Sequence, residues 1–303
     1  MKFTIQLASA LAAVAPLVQL AKAGPVLKRD TNITDPQVLN YALTLEHLEA
    51  AFYKEGLSNF SAADFAAAGY PDWIYGRLGQ IRDHEATHVQ FLTTALQTAG
   101  AQAVNACTYN FPVSDIKSFV SLAATLESVG STAYTGGAAF ISNKDYLTAA
   151  ASILTVEGRH TAWINSAILH GAAWDTAFQT PLGLNAVYTL AAQFITSCPD
   201  GNAASLPTLT PYPSLTLEGK PGSTGTLTFS AQNNGSLFVA FASGIGAPAF
   251  QPIHNDSKVD IPSDLRGYVF AFVTSSNGTL DDSTTVAGPA ILDVGFDASG
   301  NVV

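Results

Sequence analysis

The chain has 303 residues, more than one typical domain, and carries a formal net charge of −10 at pH 7. The acidic balance argues against a nucleic-acid partner, because phosphate would be repelled, and it is typical of a soluble extracellular protein. Beyond the N-terminal segment no apolar run is long and charge-free enough to span a bilayer, so we expect no membrane span.

The N-terminus has the pattern of a secretory signal peptide. Lys2 is followed by an apolar run that ends at Leu20, and Ala21-Lys22-Ala23 forms a small-x-small cleavage site. The length of the run and the cleavage site argue against a membrane anchor. We therefore predict a signal peptide at residues 1–23, a propeptide or N-terminal segment at residues 24–34, and a secreted protein, with cell-wall association left open.

Other features fit passage through a secretory route. Lys28-Arg29 is either a dibasic processing site or a chance pair. The only two cysteines, Cys107 and Cys198, favour a disulfide that closes a long loop around the helices. N-glycans are expected at five Asn-x-Ser/Thr sequons, namely Asn32, Asn59, Asn234, Asn255 and Asn277.

Residues 35–200 predict a helical domain, in which four long helices are followed by a fifth at residues 182–197. Caps and breakers mark the boundaries of the long helices. These signals are Asp35-Pro36 as cap and first-turn proline of the first helix, Gly100 at the end of the second, and Ser114 and Asn143 as caps of the next two.

Two Glu-x-x-His pairs are the most informative feature of the chain: Glu85-Ala-Thr-His88 and Glu157-Gly-Arg-His160. A separation of three residues places both side chains on one side of a helix. In each helix that side is the apolar one, and a carboxylate buried there needs a positive partner. The two stripes are Leu78, Ile81, Glu85, His88, Leu92 and Ala150, Ile153, Glu157, His160, Ile164.

The other two long helices each carry a lone glutamate on an apolar stripe and a tyrosine two helical turns later. These pairs are Glu46 with Tyr53 and Glu127 with Tyr134. In chain order the four segments alternate between a lone glutamate and a Glu-x-x-His pair. The pattern indicates an internal duplication of a helical hairpin.

Some neighbouring polar residues compete with this assignment. Glu49 is the main rival of Glu46, but Gly130 occupies the matching position in the second half, so the duplication favours Glu46. Three further residues, Asp83, His84 and His47, fall on polar stripes with residues such as Gln80, Asn40 and Thr44, and we expect them to be exposed to solvent.

Four glutamates carry four negative charges, which two divalent cations would neutralise. A glutamate from each of two helices plus Glu-x-x-His from each of the other two is the ligand pattern of ferritin-like dimetal bundles. On these residues the chain resembles the ferritin-like superfamily over about residues 35–198. The run Leu45-Glu-His-Leu-Glu-Ala-Ala-Phe-Tyr53 is most similar to fungal stress-response and plant desiccation-related ferritin-like proteins.

The resemblance implies two iron or manganese ions and assigns a role to each ligand. Glu46 and Glu127 would be terminal or shifting carboxylates, Glu85 and Glu157 bridging carboxylates, and the imidazoles of the two motifs nitrogen ligands. The full metal set is Glu46, Glu85, His88, Glu127, Glu157 and His160.

The surroundings of this centre are less well defined. Tyr53 and Tyr134 are either packing residues or redox-active catalytic residues beside the metals. Many relatives carry an aspartate directly before the motif glutamate, where it orients the opposite histidine. Here those positions are His84 and Val156, which leaves the identity of the metal open.

After Cys198 the composition changes. Residues 201–214 contain three prolines and predict a linker, and residues 215–303 predict a β-sandwich because short alternating or apolar runs are separated by turn residues. The fold class is therefore α+β multidomain: a ferritin-like four-helix bundle with a fifth helix, followed by an all-β sandwich. The sandwich carries no catalytic constellation.

The expected function is stress-protective redox chemistry on dioxygen or hydrogen peroxide, as an oxidase, a ferroxidase or a catalase-like enzyme. The alternative is a non-enzymatic stress or cell-wall protein that uses the bundle for structure or metal sequestration and the sandwich for binding. The prediction allows a homo-oligomer. A ferritin cage is not expected, because a bulky glycosylated C-terminal domain would hinder closed-shell packing.

Overall fold

Four long helices pair into two hairpins, as the duplication predicts. In the computed structural model, which describes residues 33–230, 235–254 and 256–303, α1 packs against α3 and α4 packs against α5. The predicted signal peptide and the sequons Asn32, Asn234 and Asn255 lie outside the described residues. The helices are α1 (Asp35–Asn59), a short α2 (Ala62–Ala67), α3 (Asp72–Thr98), α4 (Ile116–Gly137) and α5 (Lys144–Trp163).

The helix boundaries follow the predicted signals with two corrections. The cap of α1 is Thr34 rather than Asp35, because the Thr34 N–H donates to Gln37 Oε1 at 3.0 Å. Asp115 rather than Ser114 caps α4, because its carboxylate accepts from the Ser118 N–H at 2.7 Å. The predicted cap of α5 and the glycine that follows α3 are confirmed, at Asn143 and Gly100.

The predicted fifth helix is shorter than residues 182–197. A π-helical turn (Ile164–Ile168) follows α5, and α6 covers only Leu184–Ala192. Beyond α6 the chain extends as β2 (Ile195–Ser197), which pairs with β1 (Thr108–Tyr109). The predicted disulfide is confirmed between Cys107 and Cys198, beside these two strands. It holds the connection between α3 and α4 against the end of α6.

The C-terminal part forms two antiparallel sheets that enclose a second apolar core, which confirms the predicted sandwich. Leu227 and Val259 of one sheet meet Val239 and Val269 of the other in this core. The first sheet has the order β3 (Leu215–Glu218), β4 (Thr224–Phe229), β7 (Lys258–Asp260). The second has the order β6 (Ala249–Pro252), β5 (Phe238–Ala242), β8 (Gly267–Thr274), β9 (Thr285–Val294).

Strand β8 is buried at every residue because both of its faces are covered. Val269, Ala271 and Val273 point into the sandwich core, whereas the alternate residues belong to the core of the helical bundle. The alternate residues are Tyr268, Phe270 and Phe272. This explains why the strand reads as a continuous apolar and aromatic run.

The predicted linker lies along the helices. The Thr210 N–H donates to Asn185 Oδ1 and the Tyr212 N–H donates to Thr189 Oγ1, both at 2.9 Å. Both acceptors belong to α6. The domain limits at residues 200 and 215 remain a prediction. In the described part of the chain, none of the helices combines the length and the apolar character needed to cross a bilayer.

Candidate metal centre

The six predicted ligands converge inside the four-helix bundle. Their donor atoms form two groups, and within each group the atoms lie within 4.8 Å of one another. This is about twice the ~2.2 Å length of a metal bond to oxygen or nitrogen. Glu85 and Glu157 belong to both groups. The first group adds Glu46 and His88, and the second adds Glu127 and His160.

All four glutamates are fully buried, with no exposed surface. Each lies on the apolar stripe of its helix, where the 3.6-residue period turns it toward the bundle axis. Burial raises the pKa of Glu46 to about 7 and raises that of Glu157 well above its usual range. The fold therefore gathers four acidic groups where a lone negative charge is costly.

The two tyrosines hold the lone glutamates in a crossed arrangement. Tyr53 donates to Glu127 Oε1 and Tyr134 donates to Glu46 Oε1, each at 2.5 Å. Burial raises the pKa of both phenols well above 10, so they remain protonated donors. Each tyrosine thus orients the carboxylate that comes from the other half of the bundle.

The two imidazoles face the carboxylates through the same ring nitrogen. His88 Nδ1 lies 3.2 Å from both Glu46 Oε2 and Glu85 Oε2, and His160 Nδ1 lies 3.1 Å from Glu127 Oε2. Burial alone would lower their pKa values, but the carboxylates raise the pKa of His88 to about 12 and that of His160 to about 10. The site strongly favours positive charge.

The hydrogen bonds of the described residues do not satisfy this cluster. Glu85 Oε1 and both carboxylate oxygens of Glu157 accept no hydrogen bond there, although Glu157 Oε1 lies 3.2 Å from His88 Nδ1 and Glu85 Oε1 lies 3.2 Å from His160 Nδ1. Buried polar atoms are almost always paired, so these oxygens need a further partner. Carboxylates and imidazoles together suit iron or manganese. The residues present therefore fit bound metal ions.

Comparison with known proteins agrees with this geometry. Residues 34–170 match the ferritin-like domain family. This part of the chain is a ferritin-like domain. The predicted resemblance is confirmed, and it extends to a fungal relative. Protein rds1 of Schizosaccharomyces pombe is 29% identical over 172 residues, which cover 55% of this chain and 41% of the relative. The chain thus spans about two fifths of the length of that relative.

Among solved structures, a conserved hypothetical protein, rv2844, from Mycobacterium tuberculosis is similar to part of the chain. It is 21% identical, and the match covers 48% of this chain and 94% of that protein. The TM-score is 0.38, which is too low to support a conclusion about the function.

Glu49 lies inside the ferritin-like domain but outside both donor groups. It is 4% exposed. A methyl group built on Gly130 would lie 2.8 Å from Glu49 Oε1 and 3.4 Å from Glu157 Oε2. Gly130 is the residue of the second half that matches Glu49 of the first. Because Gly130 has no side chain, it leaves room for the Glu49 carboxylate. Burial, and then the neighbouring Glu157, raise the pKa of Glu49 well above its usual range.

His84 is exposed, as predicted, but it also contacts one of the candidate ligands. Its Nδ1 lies 3.0 Å from His160 Nε2. His84 directly precedes Glu85, where many relatives carry an aspartate that orients the opposite histidine. That position is the signal that the sequence offers for this contact. Asp83 is exposed, as predicted.

His47 corrects the prediction of solvent exposure, because it is half-buried. Its Nε2 lies 3.2 Å from the carbonyl oxygen of Val104, and burial lowers its pKa. The polar stripe of α1 is covered by the segment after α3, where Asn40 donates to the Gln102 carbonyl at 2.9 Å and accepts from the Val104 N–H at 2.8 Å. The residues of this stripe are polar because they form hydrogen bonds with the backbone of the segment that follows α3.

Proposed function

We propose that the ferritin-like domain holds two iron or manganese ions and uses them in redox chemistry with dioxygen or hydrogen peroxide. The observation that carries the proposal is the pair of overlapping donor groups, which share Glu85 and Glu157. Among the described residues, the fully buried carboxylate oxygens without a hydrogen-bond partner belong to these two glutamates. Two divalent ions would neutralise the four ligand glutamates, because neutral imidazoles add no charge.

Each side chain then has a defined task. Glu85 and Glu157 would bridge the two positions, while Glu46 and Glu127 would each serve one position and are held in place by Tyr134 and Tyr53. His88 and His160 would contribute Nδ1. These are the six residues that we predict from the sequence as ligands.

Two bound ions of a redox-active metal supply or accept the electrons that reduction of dioxygen or breakdown of peroxide requires. The chain contributes a site in which water is largely excluded, so that its charges interact strongly. Tyr53 and Tyr134 keep their protons in this environment and hold Glu127 and Glu46 in place beside the proposed metal positions. We propose that they serve the redox chemistry in this positioning role.

The setting that we propose is extracellular and stress-protective. A disulfide suits an oxidising compartment, and Cys107 and Cys198 form one. Two of the five sequons, Asn59 and Asn277, are exposed and accessible to a glycosylating enzyme. The predicted signal peptide and the resemblance to fungal stress-response proteins support the same setting.

The experiment that tests the proposal is metal analysis by mass spectrometry on protein purified without added metal, followed by peroxide and dioxygen consumption assays. We expect about two iron or manganese ions per chain. Glu85→Ala should lose metal and activity together, whereas Asp83→Ala, on the exposed face of the same helix, should keep both. A folded wild-type protein that contains no metal and consumes neither oxidant would refute the redox function.

The full burial of the ligand glutamates favours a second candidate, metal sequestration without turnover, because a closed site retains its ions. This candidate predicts the same metal content and no consumption of either oxidant. The oxidant assays on the metal-loaded protein therefore separate the two functions.

A further inference from the structure

A cavity of about 230 Å³ lies between the helical bundle and the sandwich. Helices α1, α4 and α6 form one side of it, and strands β3 and β9 form the other. An apolar cavity of about 150 Å³ is enough to bind benzene. This cavity therefore has room for a somewhat larger ring compound. Most of its lining is apolar and includes Leu45, Leu48, Val129, Leu190, Leu215 and Ile291.

Glu49 is the only ionisable residue among the described residues that line the cavity. It is 96% buried, and no hydrogen bond from the described residues reaches its carboxyl group. A buried polar group without a partner is costly, and most such groups in proteins are paired. The carboxyl group is therefore available to a molecule that enters the cavity.

The carboxyl group also marks the end of the cavity that is closest to the candidate metal centre. Gly130 lines the cavity, and a methyl group on it would contact both Glu49 and Glu157. Both carboxylates therefore approach the side of Gly130 on which a side chain would stand. A molecule bound to Glu49 would therefore lie next to the metal ligands.

The entrance to the cavity is polar, with Gln193 exposed and Thr125 half-buried. A neutral hydroxyl group suits the inner end, because it can donate to a carboxylate and can also pair with a carboxylic acid. An anion would be repelled by the five buried glutamates nearby. A cation would lose its hydration in an apolar chamber.

We propose that this cavity binds a small, uncharged, mainly apolar molecule that carries one hydroxyl group, of the substituted-phenol class. The ring lies between the bundle and the sandwich, and the hydroxyl group forms a hydrogen bond with the Glu49 carboxyl group. The assignment rests on the cavity and on Glu49, and it holds with or without bound metal.

Binding of two matched probes to the full chain tests the proposal. Isothermal titration calorimetry would compare 4-ethylphenol with ethylbenzene, which lacks the hydroxyl group. We expect one 4-ethylphenol per chain, bound roughly tenfold or more tightly than ethylbenzene. In Glu49→Leu, which keeps a similar volume, the preference should be lost and ethylbenzene should bind at least as well as 4-ethylphenol.

A second pair of variants tests the location. Ala191→Leu fills the cavity from α6 and should abolish binding of both probes, whereas Ala192→Leu changes the neighbouring residue, which does not line the cavity. Ala192→Leu should bind as the wild type does. Equal affinity for the two probes in the wild type, or an unchanged preference in Glu49→Leu, would overturn the proposal.

Metal content measured on the same samples keeps this inference distinct from the proposed function. A protein with two metal ions that binds neither probe has the metal centre and lacks this ligand site. A metal-free protein that prefers 4-ethylphenol through Glu49 has the ligand site and refutes the redox function.

Discussion

The first hairpin of the bundle, α1 with α3, and the second, α4 with α5, supply the same kinds of candidate ligands in different surroundings. The matching pairs of residues are Glu46 with Glu127, Tyr53 with Tyr134, Glu85 with Glu157, and His88 with His160. The hydrogen bonds match as well, since both tyrosine–glutamate distances are 2.5 Å. The inner part of the site therefore keeps the duplication closely.

Outside this inner part the two halves differ at matching positions. His84 contacts His160, whereas Val156 offers no side-chain donor to His88. Glu49 fills space that Gly130 leaves open. The duplication is therefore kept among the buried groups whose charges must balance. It is lost at the residues beside them, which orient the histidines and determine the free space around the site. The two proposed metal positions are therefore not equivalent.

The largest expected effect comes from the shared carboxylates, where the two halves should respond alike. Glu85→Gln and Glu157→Gln each remove a charge from both donor groups, so we expect metal content to fall from about two ions per chain to below one. Mass spectrometry of the purified variants gives the measurement, with Asp83→Asn as control. Loss of metal in only one of the two variants would show that these glutamates are not shared.

The crossed tyrosines test whether each half orients the ligand of the other. Tyr53→Phe should weaken the position that contains Glu127, and Tyr134→Phe the one that contains Glu46. We expect a loss in metal affinity of about 10- to 100-fold at that position, because the carboxylate loses its orienting donor. Stepwise metal titrations measure this. Unchanged affinity in both variants would leave the tyrosines as packing residues.

The loop after the second hairpin contains a buried titrating group outside the candidate metal centre. Burial raises the pKa of Asp175 to about 6, although the Tyr268 N–H, which donates to Asp175 Oδ1 at 3.0 Å, lowers it. The folded protein therefore holds this proton more tightly than the unfolded chain. The contribution of Asp175 to stability is fully present below about pH 4 and is lost as the pH rises through 6.

Urea unfolding at pH 4.5 and pH 7.5 tests this sign. Relative to Asp175→Asn, which keeps an acceptor for the Tyr268 N–H, the wild type should lose about 2 kcal/mol of unfolding free energy between the two values. Comparison of the two proteins removes the contributions of the other titrating groups. A parallel pH dependence in both would contradict the raised pKa.

The smallest expected effect concerns His84, whose contact with His160 has no counterpart in the other half of the bundle. His84→Ala should reduce metal affinity at the His160 position by about tenfold, because the imidazole loses the partner of its Nε2. His84→Asn, which retains a hydrogen-bonding side chain, should restore part of it. Val156→Ala in the second half should have no effect. An equal loss in both alanine variants would mean that the contact does not orient the ligand.

The convergence of the six candidate ligands could be predicted because it depends on local spacing. Glu-x-x-His and the Glu-to-Tyr interval each specify one helix face, and the duplication shows that four such faces belong together. The contacts of His47 and His84 could not be predicted in this way. The first depends on a loop more than fifty residues away in the chain, and the second on the ring of His160 across the bundle.

For the fold as well, the sequence predicts the local elements but not the contacts between them. Alternation and turn residues predict the strands, but they do not show that the outer face of β8 would meet the helical core. The predicted fifth helix runs past the end of α6 to residue 197, whereas pairing with β1 and the adjacent disulfide hold Ile195–Ser197 in a strand. Tertiary contacts overrode local preference in both places.

The crossed hydrogen bonds between Tyr53 and Glu127 and between Tyr134 and Glu46 also define the smallest unit that can work. A lone hairpin would present its glutamate without the phenol that orients it, and its own phenol would have nothing to hold. Two copies of one such hairpin, by contrast, would complete each other as a symmetric dimer. The single chain is equivalent to that dimer with its subunits joined, which has freed each copy to change independently.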